Sequence, residues 1–253
     1  MHFNKEKESM DTIIKTLHQS LLVNYVFQPV FNANGNIVFF EILGRVKDKG
    51  TQTIKAVSPE IAQKFTKLLL FFTCNIVEHD FLGDYKVSIN LSRTEVNDDI
   101  VDLMIYLFAK SKISHKIIVE VTEDVLIDSK NANFLLKLKR NNFCIALDDF
   151  CSEKSVRDII CDFDFIDIIK FDGVFMSKIG SIVENAALID GLKHLNSFAK
   201  SLGKQTVIEH IESKNLFDVT INSGADFFQG FYLGKPLSLE YYERTKYNEA
   251  INS

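Results

Sequence analysis

Two adjacent aspartates, Asp148 and Asp149, are the residues in this sequence whose types and spacing most directly suggest chemistry. They follow the apolar run 144–147, which predicts a buried strand that ends at the pair. Carboxylates buried side by side repel each other, so they rarely occur together without a cation to share. We therefore expect a metal site where this strand ends.

Other oxygen-bearing side chains lie at the ends of other predicted strands. Carboxylate and amide oxygens suit a hard divalent cation such as Mg²⁺ or Mn²⁺. The residues that would surround a first ion come from four successive predicted strands and are Glu41, Asn90, Glu120 and Asp148. Asp149 and Glu209 are left to hold a second ion, with Asp148 between the two.

Two ions held in this way suit in-line attack of water on a phosphodiester. Lys170, at the end of another predicted strand, would orient the water or neutralise charge on the phosphoryl oxygens. Each residue alone has a simpler interpretation, because a glutamate in a strand is usually solvated and paired aspartates often cap a helix. Their shared position at strand ends favours a site over these separate explanations.

Strands and helices alternate along the chain, and these are the elements that must position the site. The predicted strands cover residues 25–31, 37–46, 85–91, 116–121, 143–147, 165–171, 205–208 and 227–229. The predicted helices cover residues 11–23, 58–79, 97–110, 131–140, 153–161, 182–202 and 214–223. The turn signal at 32–36 makes the first two strands an antiparallel hairpin.

This pattern predicts an α/β fold, a (β/α)8 TIM-like barrel with an antiparallel first strand and an N-terminal helix. In such a barrel the carboxyl ends of the strands meet at one mouth, where active sites form. A doubly wound open sheet is the alternative, and it fits less well because no glycine-rich dinucleotide loop follows a strand. We divide the chain into a helical extension, 1–24, and a barrel domain, 25–253.

Composition excludes some classes of partner. A net charge of -5 with no dense basic run argues against binding a nucleic-acid polymer. The sequence has no signal-peptide pattern and no apolar segment of membrane length, so we expect no membrane association. Its four cysteines lack the spacing of a zinc site, and we expect a cytoplasmic protein with reduced thiols.

Short motifs occur in a fixed order between about residues 25 and 239. They are Phe27-Gln28-Pro29-Val30 with Glu41-Ile42-Leu43-Gly44-Arg45, Asn90-Leu91-Ser92, Glu120-Val121-Thr122-Glu123, Asp148-Asp149-Phe150-Cys151, Lys170-Phe171-Asp172, Glu209-His210-Ile211-Glu212, and Gln229-Gly230 with Gly234-Lys235-Pro236. In residues, order and spacing this set resembles the EAL domain of bacterial cyclic di-GMP phosphodiesterases. Seven ordered motifs make the resemblance highly specific.

The resemblance implies the same barrel, two Mg²⁺ or Mn²⁺ ions, and hydrolysis of cyclic di-GMP to linear pGpG. By position, it assigns the first ion to Glu41, Asn90, Glu120 and Asp148, and the second to Asp148, Asp149 and Glu209. Catalytic roles fall to Lys170, Glu209 and Glu41, with Lys170 as the water-orienting lysine. Supporting binding roles fall to Arg45 at a substrate phosphate, Gln229, Glu123 as the anchor of the loop after Asp149, and Asp172. EAL domains commonly form dimers, so a homodimer is one expectation, and a regulatory protein partner is an expectation of the degenerate-domain hypothesis given below.

The sequence departs from the family pattern outside these positions. Ile42 replaces an alanine, Gly44 replaces a larger residue, and His210 replaces a glycine. The loop 151–155 (Cys-Ser-Glu-Lys-Ser) lacks both family glycines, so any positive φ there costs about 1 kcal/mol or more per residue. Reduced turnover is therefore one expectation.

A second hypothesis is a degenerate EAL domain, acting as a non-catalytic cyclic di-GMP sensor or a protein-binding regulator of motility or biofilm. We favour the enzyme because every catalytic position is filled by the expected side chain. Buried unpaired carboxylates would also destabilise a barrel that bound no metal.

Overall fold

Eight strands close a barrel in the computed structural model of the chain, which describes residues 23–46, 59–150, 159–171 and 186–242. These strands are β1 Val23–Asn32, β2 Ile37–Val46, β3 Lys86–Asn90, β4 Ile117–Thr122, β5 Cys144–Phe150, β6 Ile168–Phe171, β7 Gln205–Ile208 and β8 Phe227–Phe228. A short ninth strand, β9 Leu237–Ser238, pairs with β1 outside the ring.

The barrel closes through β1, which is antiparallel to both of its neighbours in the ring. β1 pairs with β2 along most of its length, and Phe31 pairs with Phe228 of β8. All other neighbouring strands of the ring, from β2 to β8, are parallel. The predicted barrel with an antiparallel first strand is confirmed, and the open-sheet alternative is wrong.

Helices connect the parallel strands. They are α1 Pro59–Glu78, α2 Asp98–Met104, α3 Glu123–Leu126, α4 Ser129–Arg140, α5 Ile159–Asp162, α6 Ala186–Ser201 and α7 Lys214–Thr220. A π-helix, Ile105–Ala109, continues α2, and a 3-10 turn, Ser114–Lys116, precedes β4. The helix predicted over 97–110 is therefore split, because the backbone hydrogen bond from Lys110 N reaches Ile105 O.

The barrel wall has two faces because side chains alternate along each strand. Six apolar residues, each at most 3% exposed, fill a layer of the bore: Val30, Phe39, Ile118, Ala146, Ile168 and Val207. The residues next to them in sequence, such as Phe40, Val119 and Ile169, join the larger core between wall and helices. Polar residues two positions after the bore layer therefore face the same interior, nearer the carboxyl ends of the strands.

Strand bounds agree closely with the sequence prediction, with some exceptions. β2 and β7 have the predicted bounds, whereas β6 begins at Ile168 instead of residue 165. β9 and α3 were not predicted, because two and four residues are too short for a periodic pattern to show. The predicted leading helix, 11–23, lies almost wholly outside the described residues, so the helical extension 1–24 stays a prediction.

Within the part of the chain that the structure describes, no helix combines the length and apolarity needed to span a membrane.

Candidate metal centre at the barrel mouth

Lys170 lies at the centre of a group of carboxylates at the carboxyl ends of the strands. Its side chain leaves β6 and is 1% exposed. The ammonium Nζ lies 2.7 Å from Glu120 Oε2, 2.8 Å from Glu209 Oε1, and 3.2 Å from Asp148 Oδ1. Glu41 Oε2 is farther away, at 3.9 Å. One cation thus holds carboxylates from β4, β5 and the end of β7 together.

Both carboxylate oxygens of Glu41 are fixed by amide donors from neighbouring strands. Asn90 Nδ2 donates to Glu41 Oε1 at 2.7 Å, and Gln229 Nε2 donates to Glu41 Oε2 at 2.7 Å. The donors come from β3 and from the residue after β8. The side chain predicted to support the site, Gln229, therefore contacts the site directly.

Asp149 reaches the mouth through a local break in the strand. Regular alternation would turn Asp149 away from the face that Asp148 occupies. Asp149 instead has a φ of 54°, and the β5–β6 register shifts between Leu147 and Phe150. As a result, carboxyl oxygens of Asp148, Asp149 and Glu209 all lie within 4.8 Å of one another.

The site carries more negative charge than Lys170 can balance. Burial raises the pKa of Glu120 to about 8, with Lys170 opposing the rise and Glu41 and Asp148 adding to it. Burial likewise raises the pKa of Glu209 well above its ordinary value, again opposed by Lys170. Burial lowers the pKa of Lys170, but the four surrounding carboxylates outweigh it, so this pKa lies well above 10.5. The lysine stays charged while the carboxylates compete for one cation.

Unpartnered oxygens show that the donor set fits a divalent cation. Among the described residues, Glu120 Oε1 and Gln229 Oε1 are buried without a hydrogen-bond partner, and Asp148 Oδ1 has only the 3.2 Å ion pair with Lys170. A buried oxygen without a partner costs free energy unless an ion or a water satisfies it. Every donor here is a carboxylate or amide oxygen, which is the chemistry that Mg²⁺ and Mn²⁺ prefer.

Three predicted positions lie away from this cluster or outside the described residues. Arg45 lies half-buried near the end of β2, where its Nη1 donates to Gly44 O at 3.3 Å. Glu123 is buried as the first residue of α3, directly after β4. Asp172 and the altered loop 151–155 lie outside the described residues, so the anchoring role of Glu123 stays a prediction.

Two polar residues that were not predicted line the same interior. Gln28 pairs with Glu41 across the hairpin, and Ser88 lies beside Glu41 in the β2–β3 pairing. Ser88 is fully buried, and its hydroxyl has no hydrogen-bond partner among the described residues. Both could have been predicted from the sequence. Ser88 lies two residues before Asn90 and therefore on the same face of its strand, and Gln28 lies opposite Glu41 in the predicted hairpin.

The structure also locates two of the departures from the family pattern. Ile42 is 1% exposed and packs in the core outside the barrel wall, so its bulk does not reach the mouth. His210, beside Glu209, has a φ of 54°, in the left-handed region that favours glycine. The backbone shape that a glycine would adopt easily is therefore retained at an energetic cost.

Comparison with known proteins gives consistent matches over most of the chain. Residues 13–236 match the EAL domain. The cyclic di-GMP phosphodiesterase PdeF of Escherichia coli (strain K12) is 28% identical over 94% of this chain and 34% of PdeF. This chain thus spans about a third of the length of that relative.

Solved structures share the fold. The Xanthomonas citri FimX EAL domain, solved in complex with c-diGMP, has a TM-score of 0.73 and 14% identity, and the match covers 93% of this chain and 97% of that solved domain. Klebsiella pneumoniae BlrP1, in a complex with calcium and cy-diGMP, has a TM-score of 0.72 and 20% identity. The match covers 85% of this chain and 56% of the BlrP1 chain. Given the match over residues 13–236, the fold and the ordered motifs, this chain belongs to the EAL domain family.

Proposed function

We propose that this chain hydrolyses cyclic di-GMP to linear pGpG, using two Mg²⁺ or Mn²⁺ ions at the barrel mouth. The observation that carries the proposal is the convergence of seven polar side chains from the seven consecutive strands β2 to β8. These residues are Glu41, Asn90, Glu120, Asp148, Lys170, Glu209 and Gln229. The naming of PdeF as a cyclic di-GMP phosphodiesterase supports the substrate.

The donor set divides between two ions. Glu41, Asn90, Glu120 and Asp148 would hold the first, and Asp148, Asp149 and Glu209 would hold the second. When bound, the ions would polarise a phosphoryl oxygen and increase the acidity of water. The second group is supported by the approach of its three carboxylates within 4.8 Å.

The residues of the chain provide orientation and charge. Glu41 is fixed by Asn90 and Gln229, so its carboxylate has one orientation before any ligand arrives. Lys170 keeps a permanent positive charge, which would oppose negative charge developing on the transferred phosphoryl group. Glu209, the third proposed catalytic residue, is fixed by Lys170 at 2.8 Å.

Arg45 is the proposed contact to a substrate phosphate. Its guanidinium lies beyond Glu41 on the same strand, and the bond to Gly44 O occupies only one of its donors. Guanidinium groups bind phosphate through paired hydrogen bonds, which suits this role. Asp172 and Glu123 complete the proposed set on the strength of the family motifs.

A receptor that binds cyclic di-GMP without hydrolysis is the second candidate. The observation that favours it is that Lys170 already bridges Glu120, Asp148 and Glu209. The ammonium thus balances part of the charge that bound ions would otherwise balance. A homodimer, a regulatory protein partner, a cytoplasmic location and a role in motility or biofilm also stay proposals.

Product analysis separates the two candidates. The full chain is incubated with cyclic di-GMP and Mn²⁺, the nucleotides are separated by chromatography, and binding is measured in parallel with Ca²⁺ in place of Mn²⁺. We expect linear pGpG to accumulate, and we expect Glu41→Gln to abolish it. Binding without product would support the receptor, and absence of both binding and product would contradict both candidates.

A further inference from the structure

A second polar cavity opens at the end of the barrel opposite the carboxylate mouth. Its volume is about 670 Å³. Lys86, Cys144 and Gln205 contribute to its lining and are the first residues of β3, β5 and β7. The cavity therefore lies at the amino ends of the parallel strands, away from the proposed active site.

Positive charge dominates this cavity. Its lining includes Lys86, Lys112, Lys139 and Arg140, and Asp167 is the only carboxylate among the lining residues that the structure describes. Asp167 is already engaged, because one oxygen pairs with Lys139 and the other accepts from Ile145 N at 2.9 Å. Within the described ranges, Lys86, Lys112 and Arg140 have neither a hydrogen bond from their side chains nor an ion pair.

The remaining lining groups add no compensating negative charge. Burial and the nearby Asp167 raise the pKa of the Cys144 thiol to about 12, so the thiol stays neutral. Ser114, Asn142 and Gln205 contribute neutral hydroxyl and amide groups. The cavity thus has three uncompensated cations and several hydrogen-bond donors, in a chain whose net charge is -5.

The apolar bore layer separates this cavity from the mouth. Cys144, Ala146 and Asp148 mark the three levels along β5, since alternate residues face the interior. The middle level is the apolar layer that contains Ala146 and Ile168. A ligand in the cavity would therefore contact none of the proposed metal ligands.

Helix capping explains only part of this charge. Lys139 and Arg140 lie in the last turn of α4, where cations favourably oppose the helix dipole. Lys86 begins a strand and caps no helix, yet it is exposed at the same cavity. Lys86 therefore adds positive charge to the cavity for which helix capping gives no reason.

We infer that this cavity binds a small phosphorylated anion at a site separate from the phosphodiester substrate. The volume falls within the range of small-molecule sites, and the cations come from a strand, a loop and a helix end that surround it. Lysine and arginine side chains both bind phosphate groups, and several of them around one cavity suit an anion with more than one negative charge. The net negative charge of the chain opposes non-specific anion binding, so affinity for an anion would have to come from the cations that line this cavity.

Calorimetric titration of inorganic pyrophosphate into the full chain tests this site. The buffer contains EDTA, because the metal-free mouth is then acidic and repels the anion, which makes the result independent of the proposed hydrolysis. The test variant is Lys86→Gln with Arg140→Gln, and Lys112→Gln is a second, single variant. The matched control is Lys130→Gln with Lys193→Gln, which removes the same charge from exposed helix positions.

We expect one saturable site, an affinity at least tenfold weaker in the double variant, and a control within twofold of the unaltered chain. Lys112→Gln is expected to weaken binding by a smaller factor. Absence of binding would overturn the inference. An equal loss in the control pair would also overturn it, because that result would indicate diffuse surface charge.

Discussion

Lys170 determines how several carboxylates share one buried space. Its ammonium lies within 3.2 Å of oxygens on Glu120, Asp148 and Glu209, and little solvent reaches it. A buried ion pair contributes little net stability, but removing one partner leaves an uncompensated buried charge. The lysine is therefore expected to matter for stability as well as for catalysis.

Lys170→Met should destabilise the metal-free protein by about 3 kcal/mol at pH 8, because the carboxylates lose the one cation that pairs with them in the described part of the chain. The loss should be smaller at pH 6, where Glu120 and Glu209 take up protons instead. Urea denaturation in EDTA at both pH values measures the difference. Lys193→Met, at a half-exposed position on α6, is the control and should change stability by less than about 0.5 kcal/mol. An equal loss at both pH values would contradict this account.

His210→Gly should stabilise the protein by about 0.5–1 kcal/mol. The left-handed backbone at His210 costs a non-glycine residue about 1–2 kcal/mol, and glycine recovers part of this after its own entropy cost. The side chain is exposed, so little packing is lost. His194→Gly within α6 is the control with the opposite sign, because glycine has a lower helix propensity than histidine, by about 0.5 kcal/mol. Thermal unfolding of both variants decides the question, and a loss of stability in His210→Gly would show that no strain is stored there.

The carboxylate cluster around Lys170 could be predicted from the sequence because most of its members follow the alternation of side chains along a strand. Glu120 and Lys170 each follow an interior apolar residue by two positions, which strand periodicity predicts. Asp149 does not obey that rule, and its place depends on a positive φ and a register shift. Such a break depends on tertiary pairing, so strand periodicity alone gives no sign of it.

At the scale of elements, a close approach between two segments positions Gln229. A Cβ at Gly230 would lie 2.2 Å from Ile211 O and 2.3 Å from Ile211 N. The segments are also joined by the hydrogen bond from Ile211 N to Gln229 O at 3.0 Å. Glycine is thus required where the chain leaves β8, and this contact holds Gln229 against Glu41.

Gly230→Ala should destabilise the protein by about 1–3 kcal/mol and lower activity, because the added methyl must push the two segments apart. Gly191→Ala is the matched control. It lies in α6, where the added methyl would meet no described atom within 4 Å beyond its own helix backbone, so it should stabilise by about 0.5–1 kcal/mol. Denaturation and turnover of both variants provide the test. Unchanged turnover in Gly230→Ala would remove the proposed link between this contact and the site.

Helices and strands with a clear apolar pattern in the sequence could be predicted, whereas elements that form only through contact with another segment could not. β2 begins and ends at the predicted residues because its largely apolar run lies between Asn36 and Lys47. β9 consists of two residues that form a strand only because Val26 and Phe27 lie beside them. The π-helix after α2 likewise follows from local packing, which a 3.6-residue period does not reveal.

At the scale of the whole molecule, stability should depend on pH through the buried carboxylates. The pKa of Glu120 is about 8 in the folded protein and ordinarily 4.5, so the folded state binds more protons between these values. Stability of the metal-free protein should therefore fall as pH rises through that window. The raised pKa of Glu209 acts in the same direction.

Melting temperatures between pH 5.5 and 8.5, with EDTA or with Mg²⁺, measure this dependence. The increase in melting temperature produced by Mg²⁺ should be larger at pH 8 than at pH 6, because protons compete with the ion. Glu120→Gln is the control and should flatten the pH dependence in EDTA. A shift by Mg²⁺ that is the same at every pH would indicate an ion bound elsewhere.

The rate of pGpG formation as a function of Mn²⁺ concentration tests the central claim most directly. We predict a rate that rises and saturates with Mn²⁺ in the unaltered chain and in Glu240→Gln, a control at an exposed glutamate. Glu209→Gln should lower the rate by about 100-fold or more, since it removes a proposed metal ligand. Binding of cyclic di-GMP with no Mn²⁺-dependent product, or equal rates in the two glutamate variants, would contradict the account.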